Sequence, residues 1–194
     1  MIFFKRLKYK FFCKRIAKEC ANYKRKKYED RNVLEEIIFP RILADFEPEK
    51  ILDIGREPYQ SFYNDFFEGR DLWTMDIDPE RAEFGSENHI TDSAHRAADH
   101  FNENTFDFVL MNGVIGWGLN KPEKIEQAIN GIYKILKSGG IFIIGWNDKE
   151  DLLPIRLDKL TALKKFKSYH FKPLKSQEFK CINGEHTYSF FIKK

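Results

Sequence analysis

Apolar and polar positions follow two different periods along most of this chain. Short apolar or alternating runs predict strands at 50–55, 71–78, 88–93, 105–113 and 141–146. Between them, apolar residues spaced by three or four positions predict helices, most clearly over 28–46 and 122–140. Strands that alternate with helices form a parallel sheet covered by helices on both faces. The run at 141–146 is apolar throughout, which is typical of a strand buried on both sides.

Turn residues predict where these elements end. Pro40 is expected to kink or break the first helix, and Gly139-Gly140 is expected to end the long one. Residues 156–166 have helical spacing, and Asn183-Gly184 is a strong signal for a hairpin between two final strands. The predicted fold class is therefore α/β: a Rossmann-like three-layer sandwich with a mostly parallel sheet of about seven strands and an antiparallel C-terminal hairpin.

Charge divides the 194 residues into two segments. Residues 1–27 contain eleven Lys or Arg and one acidic residue, whereas the rest of the chain contains 22 basic and 29 acidic residues. Such an asymmetry predicts an appendage with its own partner. We therefore expect a basic arm at 1–27 and one globular domain at 28–194.

The arm has apolar residues at helical spacing, among them Phe4, Leu7 and Ile16, with lysines and arginines between them. Its basic residues interrupt the apolar run too often for a secretory signal. Three interpretations stay open: the apolar stripe packs on the domain or on a second copy, the arm lies on an anionic membrane surface, or it contacts nucleic acid. Nucleic acid is the least favoured, because the sequence has no recognition motif.

Cysteine and apolar content indicate the compartment. Cys13, Cys20 and Cys181 form neither a disulfide framework nor a metal-ligand pair, which favours a reducing cytoplasm. No run approaches the roughly 20 apolar residues of a membrane-spanning helix, so any membrane attachment is expected at the inner face through the arm. No metal-ligand cluster stands out.

The stretch "ILDIGREPY", residues 51–59, begins as a nucleotide-binding strand and turn begin. Gly55 allows a tight turn and a close approach of the backbone to a ligand. The residues that follow are not the small ones of a phosphate-binding loop, and Pro58 donates no N–H. This loop is therefore unfavourable for a dinucleotide phosphate, and the site it forms is either a working variant or a decayed one.

Five segments in chain order resemble the class I S-adenosylmethionine-dependent methyltransferases over about residues 30–194. They are "ILDIG", "WTMDID", "HITDSA", "NTFDFVLMNGVIGWGL" and "GIYKILKSGGIFIIGW". The "PY" loop, "NGV-GWGL" and "GWND" also resemble small bacterial members that accompany surface-polysaccharide genes. The resemblance implies S-adenosylmethionine as cofactor, which has no phosphate and has a positively charged sulfonium.

The resemblance also implies cofactor-binding residues. Asp76, at the end of the second strand, matches the carboxylate that accepts from the ribose hydroxyls. Asp78 is the alternative, and either residue can instead cap the helix that starts at Pro79. Asp92 matches the acceptor from the adenine amino group, with Ser93 supplying a backbone donor beside it.

Further residues are expected around the methionine end of the cofactor. Asp53 is expected to orient the loop or to meet the methionine amine, and Gly55 to approach the cofactor closely. Tyr59 is expected to cover the methionine, with its ring near the sulfonium. Asn112 and Trp117 are expected to line the cofactor or the acceptor, although Trp117 also suits the core.

Methyl transfer is an in-line displacement at a carbon that the sulfonium already activates, with a general base added for a hydroxyl acceptor. His95 is the favoured candidate base, and Asp148 is a second candidate. The other candidates are His89, His170 and His186. The first hypothesis is an O-methyltransferase acting on a hydroxyl of a small or glycan-linked acceptor. The alternatives are a non-catalytic methyltransferase-like module, targeted or dimerised by its arm, and an RNA methyltransferase.

Overall fold

The computed structural model describes residues 29–149, 151–182 and 185–194. These residues form one mixed sheet of eight strands. The strands are β1 Lys50–Ile54, β2 Asp71–Asp76, β3 Asn88–Thr91, β4 Phe106–Asn112, β5 Leu136–Asn147, β6 Phe166–Ser168, β7 Glu178–Lys180 and β8 His186–Lys193.

The strand order is β3-β2-β1-β4-β5-β8-β6, and β7 also pairs with β8. Strands β1 to β5 are parallel, β8 is antiparallel to β5, and β6 and β7 are antiparallel to β8. The chain order reverses between β1 and β4, which is where open α/β sheets bind ligands. The Rossmann-like prediction is confirmed, with eight strands instead of about seven.

In the described part of the chain, four helices accompany the sheet. α1 consists of Glu29–Asn32, the π-helical Val33–Ile38 and Phe39–Asp45, followed by α2 Tyr63–Phe66, α3 Ala97–His100 and α4 Pro122–Ile135. Short 3₁₀ turns cover Pro58–Gln60, Pro79–Phe84, Ala94–Arg96, Leu157–Lys159, Ala162–Lys165 and Lys172–Leu174. Pro40 does not break α1: it cannot donate to the carbonyl of Glu36, and the helix widens to π hydrogen bonding just before it.

Two apolar clusters hold the layers together. On one face of the sheet, α1 and α2 pack on alternate residues of the central strands, such as Ile51, Leu110 and Ile143. On the other face, α4 packs on the intervening residues, such as Leu52 and Val109. Alternate residues of a strand point to opposite faces, so both faces of β1, β4 and β5 are buried, as their apolar runs predict.

One predicted helix end and one predicted helix are wrong. α4 ends at Ile135, and Gly139-Gly140 lies in the irregular first part of β5, where the pairing with β4 shifts between Phe106 and Phe108. Gly139 has φ of +76°, so it shapes this bulge instead of ending the helix. The helix predicted over 156–166 is two separate 3₁₀ turns, the second of which leads into β6.

The arm at 1–27 and the Asn183-Gly184 turn lie outside the described residues, although β7 and β8 pair on either side of that turn. Within the described parts of the chain, no helix is long and apolar enough to cross a bilayer.

Candidate functional site

A cleft opens at the carboxyl ends of β1, β2, β3 and β4. Its walls come from the turns that follow these strands: Ile54, Gly55, Glu57, Asp76, Ile77, Asp78, Arg81, Asp92, Ser93, Ala94, Gly113, Val114, Trp117, Gly118 and Leu119. Of the predicted cofactor-binding residues, the structure brings Gly55, Asp76, Asp92 and Ser93 together here.

Gly55 is the position at which the turn after β1 requires glycine. Its φ is +96°, a conformation that other residues rarely adopt. A Cβ atom there would lie 2.4 Å from the carbonyl oxygen of Asn112 and 2.8 Å from Cγ2 of Val114. Gly55 thus lets the β1 turn lie directly against the β4 turn.

Arg56 does not point into the cleft. Its side chain is fully buried below the loop, where the guanidinium donates to the carbonyl oxygen of Gln60 (2.9 Å) and to Oδ1 of Asn64 (2.7 Å). Its backbone N–H donates to Oδ2 of Asp76 at 2.7 Å. Glu57 and Gln60 close the following 3₁₀ turn with a capping box. The loop is therefore held in one conformation by side chains instead of by small residues.

Asp53 lies on the α1 side of the sheet and does not line the cleft. Both of its carboxylate oxygens are buried without a hydrogen bond, and one lies 3.4 Å from Nε of Arg56. Burial raises the pKa of Asp53, and the Arg56 guanidinium opposes this rise. Of the two roles predicted for Asp53, its position suits the orientation of the loop.

Asp76 ends β2, so the alternative in which the strand continues to Asp78 is wrong. The Asp76 carboxylate accepts from the backbone N–H groups of Arg56 (2.7 Å) and Asp78 (2.9 Å). A carboxylate has about four lone-pair sites, so acceptor capacity remains for a ligand hydroxyl. Asp78 accepts from the backbone N–H of Glu80 (3.0 Å) and caps the turn that begins at Pro79.

Asp92 follows β3 and is held by two basic side chains. Its Oδ2 lies 2.8 Å from Nε2 of His100 and 3.3 Å from a guanidinium nitrogen of Arg96, and its Oδ1 accepts from the backbone N–H of Ser93 at 2.7 Å. The hydrogen bond from His100 is the largest cause that lowers the pKa of Asp92. Asp92 is therefore an ionised acceptor at the edge of the cleft.

Two large apolar side chains form an exposed rim. Trp117 is 65% exposed and Ile77 is 56% exposed, and both line the cleft. The interpretation of Trp117 as a core residue is therefore wrong. Exposed apolar side chains at a cleft indicate a ligand-binding position. A flat ring of a ligand could pack against these two side chains.

Two predicted site residues lie elsewhere. The ring of Tyr59 is covered by the guanidinium of Arg31, whose central carbon is 3.5 Å from the ring centroid. Tyr59 is thus in a cation–π contact with the first turn of α1, not with a ligand in the cleft. Asp148 is half-exposed and pairs with Lys180 at 2.9 Å, so the structure does not bring this candidate base to the cleft.

His95 lies behind the cleft wall, with Nδ1 2.7 Å from the hydroxyl of Ser93. Burial is the largest cause that lowers its pKa, so the ring is neutral at pH 7. It reaches the cleft through Ser93.

Asn112 belongs to a polar chain that the sequence did not reveal. His186, the first residue of β8, lies with Nε2 3.0 Å from Oδ1 of Asn112 and with Nδ1 2.7 Å from Oδ1 of Asn147. Gly145 lies between them on β5, where a Cβ atom would be 1.9 Å from Oδ1 of Asn112. The missing side chain at Gly145 therefore allows β4 and β8 to make contact across β5.

Burial lowers the pKa of His186 to about 4, although the nearby Asp30 opposes this shift. A neutral imidazole has one donor and one acceptor nitrogen. One of the two asparagines must therefore turn its amide nitrogen toward the ring, and this fixes the orientation of both amides. Gly113, the next residue, lines the cleft, whereas the amide of Asn112 is directed toward Gly145 and His186.

Acidic side chains outnumber basic ones along the cleft, although Arg81 pairs with Glu57 (3.5 Å) and Asp78 (3.4 Å). Four carboxylates line it, those of Glu57, Asp76, Asp78 and Asp92, and Arg81 is its one basic residue. This field attracts a cationic ligand and repels a phosphate.

Sequence reasoning missed three features of the site: the buried guanidinium of Arg56, the contribution of Ile77 to the rim, and the contact of His186 with Asn112. A signal existed only for Ile77, an apolar residue between two aspartates directly after a strand.

Comparison with known proteins agrees with this geometry. Residues 53–144 match the family described as "Methyltransferase domain". No curated protein matches the sequence significantly.

Many solved structures share the fold. The N-methyltransferase NodS from Bradyrhizobium japonicum WM9 in complex with S-adenosyl-L-homocysteine has a TM-score of 0.64 and 15% identity, over 94% of this chain and 98% of NodS. A TehB-like SAM-dependent methyltransferase from Corynebacterium glutamicum has a TM-score of 0.60 and 19% identity, over 97% of this chain and 100% of that protein.

Proposed function

We propose that this chain, which belongs to the class I S-adenosylmethionine-dependent methyltransferases, transfers a methyl group to a hydroxyl of a small or glycan-linked acceptor. The observation that supports the proposal best is the convergence of Gly55, Asp76 and Asp92 on one acidic cleft at the switch point of the sheet.

The residues of the cleft fit S-adenosylmethionine. Asp76 has lone pairs left for ribose hydroxyls, and Asp92 is an ionised acceptor suited to an amino group. Ile77 and Trp117 offer apolar surface for a purine, and the acidic walls suit the sulfonium and ammonium charges. The variant loop after Gly55 leaves the cleft open, because Arg56 is folded away beneath it.

S-adenosylmethionine supplies a methyl group on a cationic sulfur, which leaves as a neutral thioether. The chain then has to hold the acceptor oxygen in line and remove its proton. We assign to Asn112, whose amide is fixed by His186, the role of orienting an acceptor beside Gly113. Neutral His95 is placed to take a proton through the hydroxyl of Ser93.

A hydroxyl acceptor suits the neutral groups on this side of the cleft. Amide and imidazole groups exchange hydrogen bonds with a hydroxyl without the desolvation cost of a charge. NodS is described as an N-methyltransferase, but its 15% identity to this chain concerns the fold and does not extend to the acceptor.

Transfer of a labelled methyl group from S-adenosylmethionine tests the proposal, with sugars and glycosides, amines and RNA as separate acceptor classes. We expect label in the hydroxyl acceptors, lost in Asp76→Ala and largely kept in Asp78→Ala, the neighbouring carboxylate that caps a turn. Label only in amines or RNA would contradict the acceptor class. Cofactor binding without label in any class would favour the non-catalytic alternative.

A further inference from the structure

Residues 159–182 form a second basic segment, separate from the arm. They contain seven lysines and one acidic residue, Glu178, and all seven lysines are exposed. Among the described residues, Asp148 pairs with Lys180 and no carboxylate pairs with the other six lysines. We call these lysines the lysine-rich edge: Lys159, Lys164, Lys165, Lys167, Lys172, Lys175 and Lys180.

The lysine-rich edge lies on one side of the molecule. Its residues form β6, β7 and the turns around them, beyond β8 at the end of the sheet opposite to β3. Residues 28–148, which contain β1 to β4, have eleven basic and 24 acidic residues, whereas residues 149–194 have eleven basic and five acidic ones. An anionic surface would therefore attract one end of the sheet and repel the other.

An exposed apolar side chain adjoins this basic surface. Ile182 is 85% exposed and follows Lys180 at the end of β7. β7 and β5 are both antiparallel to β8, so Lys180 and Ile182 lie near the carboxyl ends of strands β1 to β5, whereas Lys167, opposite Ile192, lies toward their amino ends. A lone apolar residue beside lysines favours a surface with both anionic groups and an apolar layer.

The described part of the chain begins near these same strand ends. The hydroxyl of Tyr188 donates to the carbonyl oxygen of Asp30 at 2.9 Å, which holds the start of α1 near the beginning of β8. In the sequence, residues 1–27 precede this point with eleven basic residues and one acidic residue.

We propose that the lysine-rich edge and Ile182 bind the surface of an anionic lipid bilayer. Lysine near such a surface contributes about 1 kcal/mol by charge alone. The basic residues of the edge include no arginine, the residue that recognises nucleic-acid phosphates in a forked geometry. Phe166 and Phe171 are buried, and Tyr169 and Phe179 are partly buried, so His170 is the one exposed ring of the segment on which a base could stack.

Binding in this orientation also limits the acceptor, an inference that rests on the proposed function. Asn112 and His186 lie at the same sheet edge as Ile182, so the acceptor side of the cleft would lie near the lipid surface. An acceptor presented at a membrane, such as a lipid-linked glycan, fits this placement.

Co-sedimentation of the full-length protein with vesicles tests the proposal. We expect binding to equimolar phosphatidylcholine and phosphatidylglycerol at low salt, none to phosphatidylcholine alone, and release at about 0.5 M NaCl because salt screens exposed charges. Lys167→Glu/Lys172→Glu should weaken binding at least tenfold. The matched control Lys121→Glu/Lys134→Glu makes the same charge change at exposed lysines near α4 and should leave binding nearly unchanged.

Ile182 gives an independent test. Ile182→Asp should weaken vesicle binding several-fold, and Ile182→Trp should bind with a blue shift of its fluorescence. Equal binding by both charge-reversal variants, or stronger binding to single-stranded RNA than to vesicles at equal salt, would overturn the proposal. Affinity for S-adenosylhomocysteine, measured on every variant, separates this outcome from failure of the proposed function.

Discussion

Arg56→Met removes the buried guanidinium on which the variant first loop depends. Methionine fills a similar volume but cannot donate to Gln60 or Asn64, and it leaves the buried carboxylate of Asp53 without its counter-charge. Loss of one partner from a buried ion pair costs about 3–5 kcal/mol. With a urea slope of about 2 kcal/mol/M, the unfolding midpoint should fall by about 2 M.

The loss should depend on pH with a defined sign. The pKa of Asp53 is already raised above 3.8 by burial, and removal of Arg56 should raise it further. The folded variant then binds a proton that the unfolded chain has lost, so its stability falls as pH rises from about 4 through the raised pKa. The deficit relative to the wild type is therefore expected to be larger at pH 7 than at pH 4.

Urea unfolding followed by circular dichroism measures both effects. Asp53→Asn/Arg56→Met should be more stable than Arg56→Met at pH 7, because the buried charge is gone. Arg41→Met is the control: Arg41 is half-exposed and pairs with Asp45 within α1, so its loss should cost under about 1 kcal/mol. An Arg56→Met deficit as small as that of Arg41→Met, or no rescue by Asp53→Asn, would refute the reasoning.

Three further predictions concern the polar chain and the rim. Burial lowers the pKa of His186 from 6.5 to about 4, so the free energy of unfolding of the wild type should rise between pH 4 and pH 6.5 by up to about 1.4 kcal/mol per pH unit. His186→Gln should remove this pH dependence. Gly145→Ala places a Cβ atom 1.9 Å from Oδ1 of Asn112 and should lower the free energy of unfolding by about 1–3 kcal/mol; unchanged urea midpoints would contradict the contact. Trp117→Ala should weaken S-adenosylhomocysteine binding about tenfold or more, and Trp117 emission should change on titration; equal affinity would exclude it from the site.

The sequence predicts the sheet well because strand signals are local. β4 and β5 are apolar on both faces, and short apolar runs of this length are typical of strands buried on both sides. The end of α4 was not predictable in the same way. The apolar spacing continues to Leu136, and a Gly-Gly pair suits a helix end as well as it suits the bulge in which it lies.

The same distinction between local sequence signals and contacts made by the tertiary fold applies to the residues of the site. Asp76 and Asp92 were predictable because each directly follows a strand, and the ends of parallel strands converge. The partners of Tyr59 and His186 were not, because each is a residue that only the tertiary fold brings near. Tyr59 contacts Arg31, 28 positions earlier, and the neutral His186 reaches Asn112, 74 positions earlier, through a gap left by one glycine.

Calorimetric titration of the wild type and Asp76→Ala with S-adenosylmethionine and S-adenosylhomocysteine is the decisive test of cofactor binding in this cleft. We expect micromolar binding of both ligands to the wild type and a loss of binding in Asp76→Ala, with the fold intact by circular dichroism. No heat and no thermal stabilisation of the wild type, or equal affinity in Asp76→Ala, would contradict the claim that this cleft binds the cofactor.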